Sequence, residues 1–386
     1  MNVFRHGRQL KVTAACACIC LLVLLSACGN AGSAGKQGQA TGSPATRSTE
    51  GVQQKSTTTP IQVPPQNSTP TPKPTTGAIS PNIQPGGNNP NRPVLAFYYM
   101  WYDTSSWCLC QMSDLPTIQY NSSDTATIAR QVNQAANAGL SGFISSWWGP
   151  GSATDTNFAK LLDYSATLQQ QTGYHFTSTI YFESDAPQLN NVTNMVNGLN
   201  YVIAHYGNSP YFFHWHGKPV IFFWDPLGGG RTLATWATIR KQVDPNNTMI
   251  WSAEGADTSV LSVFDGIHLF SAGYWGIQHN DMATVDQGFR AKIDAYNSAN
   301  HTQKIWAAGV LPGYNDTRVP GRTGTYIVAR NNGATYSESW QAAIASNPDW
   351  ITITSFNEWF EGSMLEPSVT YGNLYLDQTA TFTRQW

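Results

Sequence analysis

Charge is scarce in this chain: only 11% of its 386 residues are Asp, Glu, Lys or Arg. That excludes the dense basic surface with which proteins hold nucleic acid. Cysteine is scarce once placed. Of six, Cys16, Cys18, Cys20 and Cys28 fall in the amino-terminal segment, leaving Cys108 and Cys110. Such a Cys-x-Cys pair either closes a local disulfide in an oxidising compartment or stays reduced in a loop, a structural role in both cases. With no further Cys or His cluster beside it, a zinc site is not expected. A glycine-rich phosphate loop is also missing. The one long apolar run, Val12 to Leu25, is shorter than a membrane-spanning helix requires.

That run follows Arg5, Arg8 and Lys11 and ends in Leu25-Ser26-Ala27-Cys28-Gly29, the layout of a secretory signal. Its ending resembles the bacterial lipobox, which makes Cys28 the expected lipidation site and residues 1–28 the signal peptide. Each acyl CH₂ buried contributes about 0.8 kcal/mol, so several chains would hold the protein on the outside of the cell membrane. Residues 29–92 are Ser, Thr, Pro, Gln, Gly and Asn with few large apolar side chains. Such a segment cannot offset its ordering entropy by burial and reads as a disordered tether.

Residues 93–386 form the expected functional domain, with 13 Lys and Arg against 22 Asp and Glu, a net charge of −9. An acidic surface repels nucleic-acid backbones. Aromatics make up 12% of the chain, 14 of them Trp. More rings than a core needs, in an acidic domain, point to stacking on a neutral oligo- or polysaccharide. The domain is expected to act as a monomer.

Short β-branched and aromatic runs alternate here with longer amphipathic stretches, the pattern of βα units around a parallel sheet. Eight candidate strands begin at Val94, Gly142, Thr177, Pro219, Thr248, Gly266, Lys304 and Trp350. Candidate helices span 124–138, 157–172, 191–206, 233–243, 285–300 and 336–346, with a short closing one near 376–386. Few residues separate the fifth and sixth strands, the weakest unit of the series. Eight strands in one domain, without a phosphate loop, predict a (β/α)8 TIM barrel rather than a doubly wound sheet.

Such barrels collect function at the carboxyl ends of their strands. Those ends carry Tyr98, Tyr99, Trp101 and Tyr102; Trp147 and Trp148; Glu183 and Asp185; Trp224 and Asp225; Glu254; Tyr274 and Trp275; Tyr314 and Asp316; and Asn357, Glu358, Trp359 and Glu361. Apart from Asp185, Trp224 and the pair Glu358 and Glu361, these are the expected substrate-binding residues. Glycosidic cleavage needs one carboxylic acid to protonate the departing oxygen and a second carboxylate to assist at the sugar. Glu358 and Glu361 are three residues apart, so one turn of chain can aim both into a cleft, and their proximity raises the pKa of one of them. His214 and His216 flank Trp215 ahead of the fourth strand, at the opposite end, where a structural role is expected.

The domain from about Val94 onward resembles glycoside hydrolase family 99 and its relatives, the endo-acting α-mannosidases and α-mannanases. FYYMWY (Phe97 to Tyr102), SWWGPG (Ser146 to Gly151), IYFES (Ile180 to Ser184), PGYNDT (Pro312 to Thr317) and ITSFNEWFEGSMLEP (Ile353 to Pro367) carry the resemblance. It implies hydrolysis with retention, without a covalent glycosyl-enzyme and without a metal or organic cofactor: Glu358 as base on the substrate's own 2-hydroxyl, which attacks C1, and Glu361 as acid on the leaving group and then base on water. Phe360 stands where the family commonly has His, and the loop DTSSWCLCQ departs from the family pattern, which leaves the flanking sugars open. Two alternatives stand: a related barrel glycosidase acting on another α-linked polysaccharide, and a tethered glycan-binding lipoprotein without turnover. The second would have no need of a catalytic acid.

Overall fold

Alternation of side chains along eight short strands builds the molecule. The computed structural model describes residues 89–278 and 281–386. The strands are β1 (Val94–Tyr98), β2 (Gly142–Trp147), β3 (Thr179–Glu183), β4 (Lys218–Trp224), β5 (Ile250–Glu254), β6 (Gly266–His268), β7 (Ile305–Val310) and β8 (Trp350–Ile353). Each pairs in parallel with its sequence neighbours, and β1 pairs with β8, so the sheet closes into the predicted barrel.

Side chains two residues apart share a face, so each strand feeds two cores. Leu95, Phe97, Ile144, Tyr181, Val220, Phe222, Ile305, Ala307 and Trp350 fill the barrel interior. Their neighbours Ala96, Phe143, Ile180, Phe182, Ile221, Phe223, Trp306 and Ile351 pack outward against the helices. A single buried ring of this size contributes about 2–3 kcal/mol, so the two aromatic layers together dominate the gain on folding.

The helices are α1 (Thr125–Asn137), α2 (Ala153–Thr172), α3 (Val192–His205), α4 (Leu233–Val243), α5 (Ala272–Gln278), α6 (Met282–Asn300), α7 (Ala334–Ala345) and α8 (Leu374–Thr383). Side-chain caps start several of them: Ser152 accepts from Asp155 N–H, Asn191 from Asn194 N–H and Thr232 from Thr235 N–H. Such caps satisfy amide donors that the first turn leaves unpaired. The Ser152 cap starts α2 at Ala153, four residues before the expected Asn157. Between β5 and β6 the chain makes only a 3-10 turn, Thr258–Ser262. The connection is too short for a helix and two loops, and α5 with α6 instead cover the next crossover.

Two expectations about small features resolve at once. Cys108 and Cys110 are joined as a disulfide. His214 lies in a short antiparallel ribbon at the amino end of β4, its ring nitrogens 2.7 and 2.8 Å from the Phe212 and Gly207 carbonyls. Those contacts give it a structural role. Cys28 lies outside the described residues.

Candidate active site

The loop after β8 places the carboxylate pair. Phe356 N–H donates to Phe97 O at 2.8 Å, while Ser355 and Ser363 bond across the loop, folding Glu358–Gly362 into a turn. Gly362 closes it at φ +58°, where a Cβ would lie 2.5 Å from Ser113 Oγ. Only glycine meets both demands. Asn357 ties the turn to the first strand end: its Oδ1 accepts from Tyr99 N–H at 2.7 Å and its Nδ2 donates to Tyr99 O at 2.8 Å.

Glu358 emerges beside this clamp. Tyr102 donates its hydroxyl to Glu358 Oε1 at 3.2 Å, Phe360 N–H donates to the same oxygen at 3.1 Å, and Ser355 Oγ accepts from Glu358 N–H at 2.7 Å. Burial raises the Glu358 carboxyl well above its usual range, the charge of Glu361 adds to that, and Arg322 opposes it. Glu361 Oε1 accepts from Arg322 Nη1 at 2.8 Å. Its other oxygen is buried and has no hydrogen-bond partner among the described residues.

Arg322 is the main functional side chain that sequence reasoning missed. Its Nη1 also reaches Asp316 Oδ2 and the Tyr314 hydroxyl, each at 3.0 Å. Tyr314 and Asp316, expected to touch substrate, therefore stand behind the arginine and hold it. Arg322 lies in an irregular loop where no periodicity marks an inward-facing residue. The one available signal was its place six positions after Asp316 in the PGYNDT segment.

Above the barrel interior, a pocket is lined by Glu358, Glu361, Arg322, Glu183 and seven rings: Tyr99, Trp101, Trp148, Tyr181, Trp224, Phe270 and Phe360. Tyr99, Trp101, Trp148 and Glu183 were expected there. Tyr181 and Phe270 were not, and Trp224 had been noted only as a strand-end residue. Ser146 donates to Glu183 Oε1 at 2.7 Å and accepts from Trp148 Nε1 at 3.1 Å, linking the second and third strand ends. Burial pushes the Glu183 carboxyl up to about 8, against the Ser146 bond, which lowers it.

Several expected ligand contacts lie elsewhere. Tyr98 and Trp147 face the helices, fully buried, with the Tyr98 hydroxyl on Gln131 and the Trp147 indole on Asp155 at 2.9 Å. Facing out of the barrel, they are corrected to core residues. Tyr102, Asn357 and Trp359 are buried behind the pocket and support the turn. The Trp359 indole donates to Glu366 Oε2 at 3.1 Å, and Glu366 is a buried hub that also receives Tyr120 and Gln131. Tyr274 and Trp275 ride on α5, Tyr274 against Tyr326, away from the pocket wall. Glu254 ends β5 and Asp225 follows β4, both outside the pocket lining; burial pushes Glu254 up to about 8, and Asp225 adds to the effect.

Comparison with known proteins places this geometry. The model of glycosyl hydrolase family 99 matches residues 112–381. Glycoprotein endo-alpha-1,2-mannosidase of Rattus norvegicus is 26% identical over 280 residues, covering 67% of this chain and 58% of the relative. That of Mus musculus is 27% identical with the same coverage, so the chain spans less than two thirds of these relatives. The endo-alpha-mannosidase structure from Bacteroides thetaiotaomicron superposes with a TM-score of 0.63 at 22% identity, over 77% of this chain and 97% of that one. A "Glycoside hydrolase-like protein" superposes at 0.59 with 15% identity, covering 77% and 95%. These superpositions bear on the fold alone.

Proposed function

This chain belongs to glycosyl hydrolase family 99, and from that premise we propose that it hydrolyses internal α-mannosidic bonds of mannan or mannose-containing glycans, with retention at C1. One observation carries the reading: Glu358 and Glu361 meet in a ring-lined pocket with an arginine on one of them. Seven aromatic side chains supply faces for sugar C–H surfaces, while the carboxylates supply the acid–base pair that glycosidic cleavage requires.

In the first step Glu358 takes the proton of the substrate's 2-hydroxyl. O2 attacks C1, the C1–O bond to the leaving sugar breaks, and Glu361 gives its proton to the departing oxygen. Water then attacks C1 of the resulting 1,2-anhydro sugar, Glu361 takes the water proton, and Glu358 returns a proton to O2. Double displacement accounts for retention. A carboxylate raised by burial is a stronger base than a solvated one, which suits Glu358. Glu361 Oε2 is the oxygen left to face the leaving group, since Arg322 occupies Oε1.

Burial favours the protonated form of Glu358 in the ligand-free protein. The reaction needs the proton on Glu361. A 2-hydroxyl donating to Glu358 stabilises its ionised form, the form that acts as base. Cys28 acylation would hold the enzyme on the outer face of the cell membrane, acting as a monomer on neutral glycans.

Digestion of a glycan panel by the purified protein tests the reading, with oligosaccharide release and product anomer as readouts. Release from α-mannan or glucosylated high-mannose glycans is expected. Inversion at C1, or action only on other α-linked polysaccharides, would refute the mechanism or the substrate. Glu361→Gln should abolish turnover and keep ligand binding, and Cys28→Ser should release the protein from membranes.

A further inference from the structure

The loop after β1 enters the site through one ring. Tyr102 is fully buried and clasped between Trp107 of that loop and Phe360 of the catalytic turn, with ring centroids 5.1 and 5.6 Å away and interplanar angles of 27° and 34°. The Trp107 indole is anchored in turn, donating to Tyr120 O at 2.9 Å. Cys108, the next residue, is closed by its disulfide to Cys110. Held in this way, the Tyr102 hydroxyl accepts from Trp359 N–H at 3.0 Å and reaches Glu358 Oε1 at 3.2 Å. A phenyl ring would fill the same space without the cost of burying a hydroxyl.

Resting on the glycosidase reading, we infer that Tyr102, pressed into place by Trp107, is a positioning residue that commits Glu358 Oε1 and so makes Oε2 the atom that takes the sugar's 2-hydroxyl proton. The direction of each bond follows from its donor. An amide nitrogen can only donate, so the Tyr102 oxygen accepts from Trp359 and its one hydrogen turns to Oε1. Phe360 N–H donates to the same oxygen at 3.1 Å, whatever side chain stands at that position. Both donors bond a bare carboxylate oxygen more strongly than a protonated one, so a proton arriving on Glu358 goes to Oε2. Burial raises the Glu358 pKa, and these two bonds lower it, which favours the ionised base. The other titratable groups around this carboxyl are Glu361 in its own turn, Tyr99 from the β1 end, Arg322 from the loop after β7, and Tyr181 and Glu183 across the pocket. Of these, Glu361 opposes ionisation of Glu358 and Arg322 favours it.

Two measurements test this. The first is the pH dependence of kcat/KM for Tyr102→Phe, Trp107→Leu and the double variant, on a mannoside that the wild type cleaves. Tyr102→Phe should move the acid limb up by about one to two pH units, because one bond to a charged oxygen is lost. On that limb kcat should fall about tenfold or more with KM little changed. Trp107→Leu should move the limb in the same direction, Trp107→Phe should recover most of the shift, and the double variant should behave as Tyr102→Phe does. An acid limb that Tyr102→Phe leaves in place, or shifts that add in the double variant, would overturn the inference. The second measurement needs no turnover: the Glu358 carboxyl is titrated by ¹³C NMR of the full chain, its signal assigned by loss in Glu358→Gln. The midpoint should rise in Tyr102→Phe by the same interval as the acid limb, and in Trp107→Leu by less. A midpoint unmoved by Tyr102→Phe would refute the inference, whereas absence of hydrolysis by the wild type would refute only the assigned activity.

Discussion

Asp286 offers a test of how burial governs a carboxylate in this fold. It lies on α6 in the same stripe as Phe289 and Ile293, all facing the barrel, and is fully buried. Neither of its oxygens has a hydrogen-bond partner among the described residues, and burial alone pushes its pKa from 3.8 up to about 8. The folded state thus holds this proton more tightly than the unfolded chain. Stability from that proton is complete below pH 3.8 and is lost as pH rises through about 8. At about 1.4 kcal/mol for each tenfold change in proton affinity, the rise from 3.8 to about 8 sets an upper limit of about 6 kcal/mol above pH 8. Water entry and local relaxation reduce that, leaving about 2–3 kcal/mol to be measured. Asp286→Asn keeps the shape and removes the titration. Urea unfolding at pH 5, 7 and 9 should find the variant close to wild type at pH 5 and more stable by that margin at pH 9. A difference that does not change with pH would refute the assignment of an unpaired, neutral carboxyl.

Adjacent indoles separate core from ligand contact. Trp147→Ala empties a fully buried site in the outer layer and should cost about 3–5 kcal/mol of stability by calorimetry, whereas Trp148→Ala should weaken glycan binding, measured by titration, with less effect on unfolding. Asn357→Ala removes both bonds to Tyr99; kcat should fall at least tenfold in steady-state assays while the fold, followed by circular dichroism, is kept. Arg322→Leu leaves Asp316 and Glu361 buried without their cation and should lose about 3–5 kcal/mol at neutral pH. Thermal melts of the variant beside the wild type measure that loss.

The barrel was legible because strands advertise themselves by composition, and because eight of them at regular spacing leave few architectures. The short fifth unit was legible as well: too few residues separate Glu254 from Gly266 for a helix, and a 3-10 turn occupies the gap. What composition could not convey was which partner in each strand-end pair looks inward. Tyr98 and Tyr99, or Trp147 and Trp148, are chemically alike, yet a period of two sends one to the helices and the other to the pocket.

That parity could have been applied before any coordinates. Counting by twos from the interior residues Phe97 and Ile144 selects Tyr99, Trp101, Ser146 and Trp148, and counting back from Glu183 selects Tyr181; all but Ser146 line the pocket, and Ser146 bonds to Glu183. The same rule, continued along β6, places Phe270 on the pocket wall and His268 one layer beneath it. Arg322 stays beyond such a rule, since its position depends on a long irregular loop held by Tyr314 and Asp316 rather than on a repeating backbone. The site is thus made in two ways. Strand register sets Glu183 and most of the rings, while loops fixed by single side chains, such as Asn357 on Tyr99, set Glu358, Glu361 and Arg322.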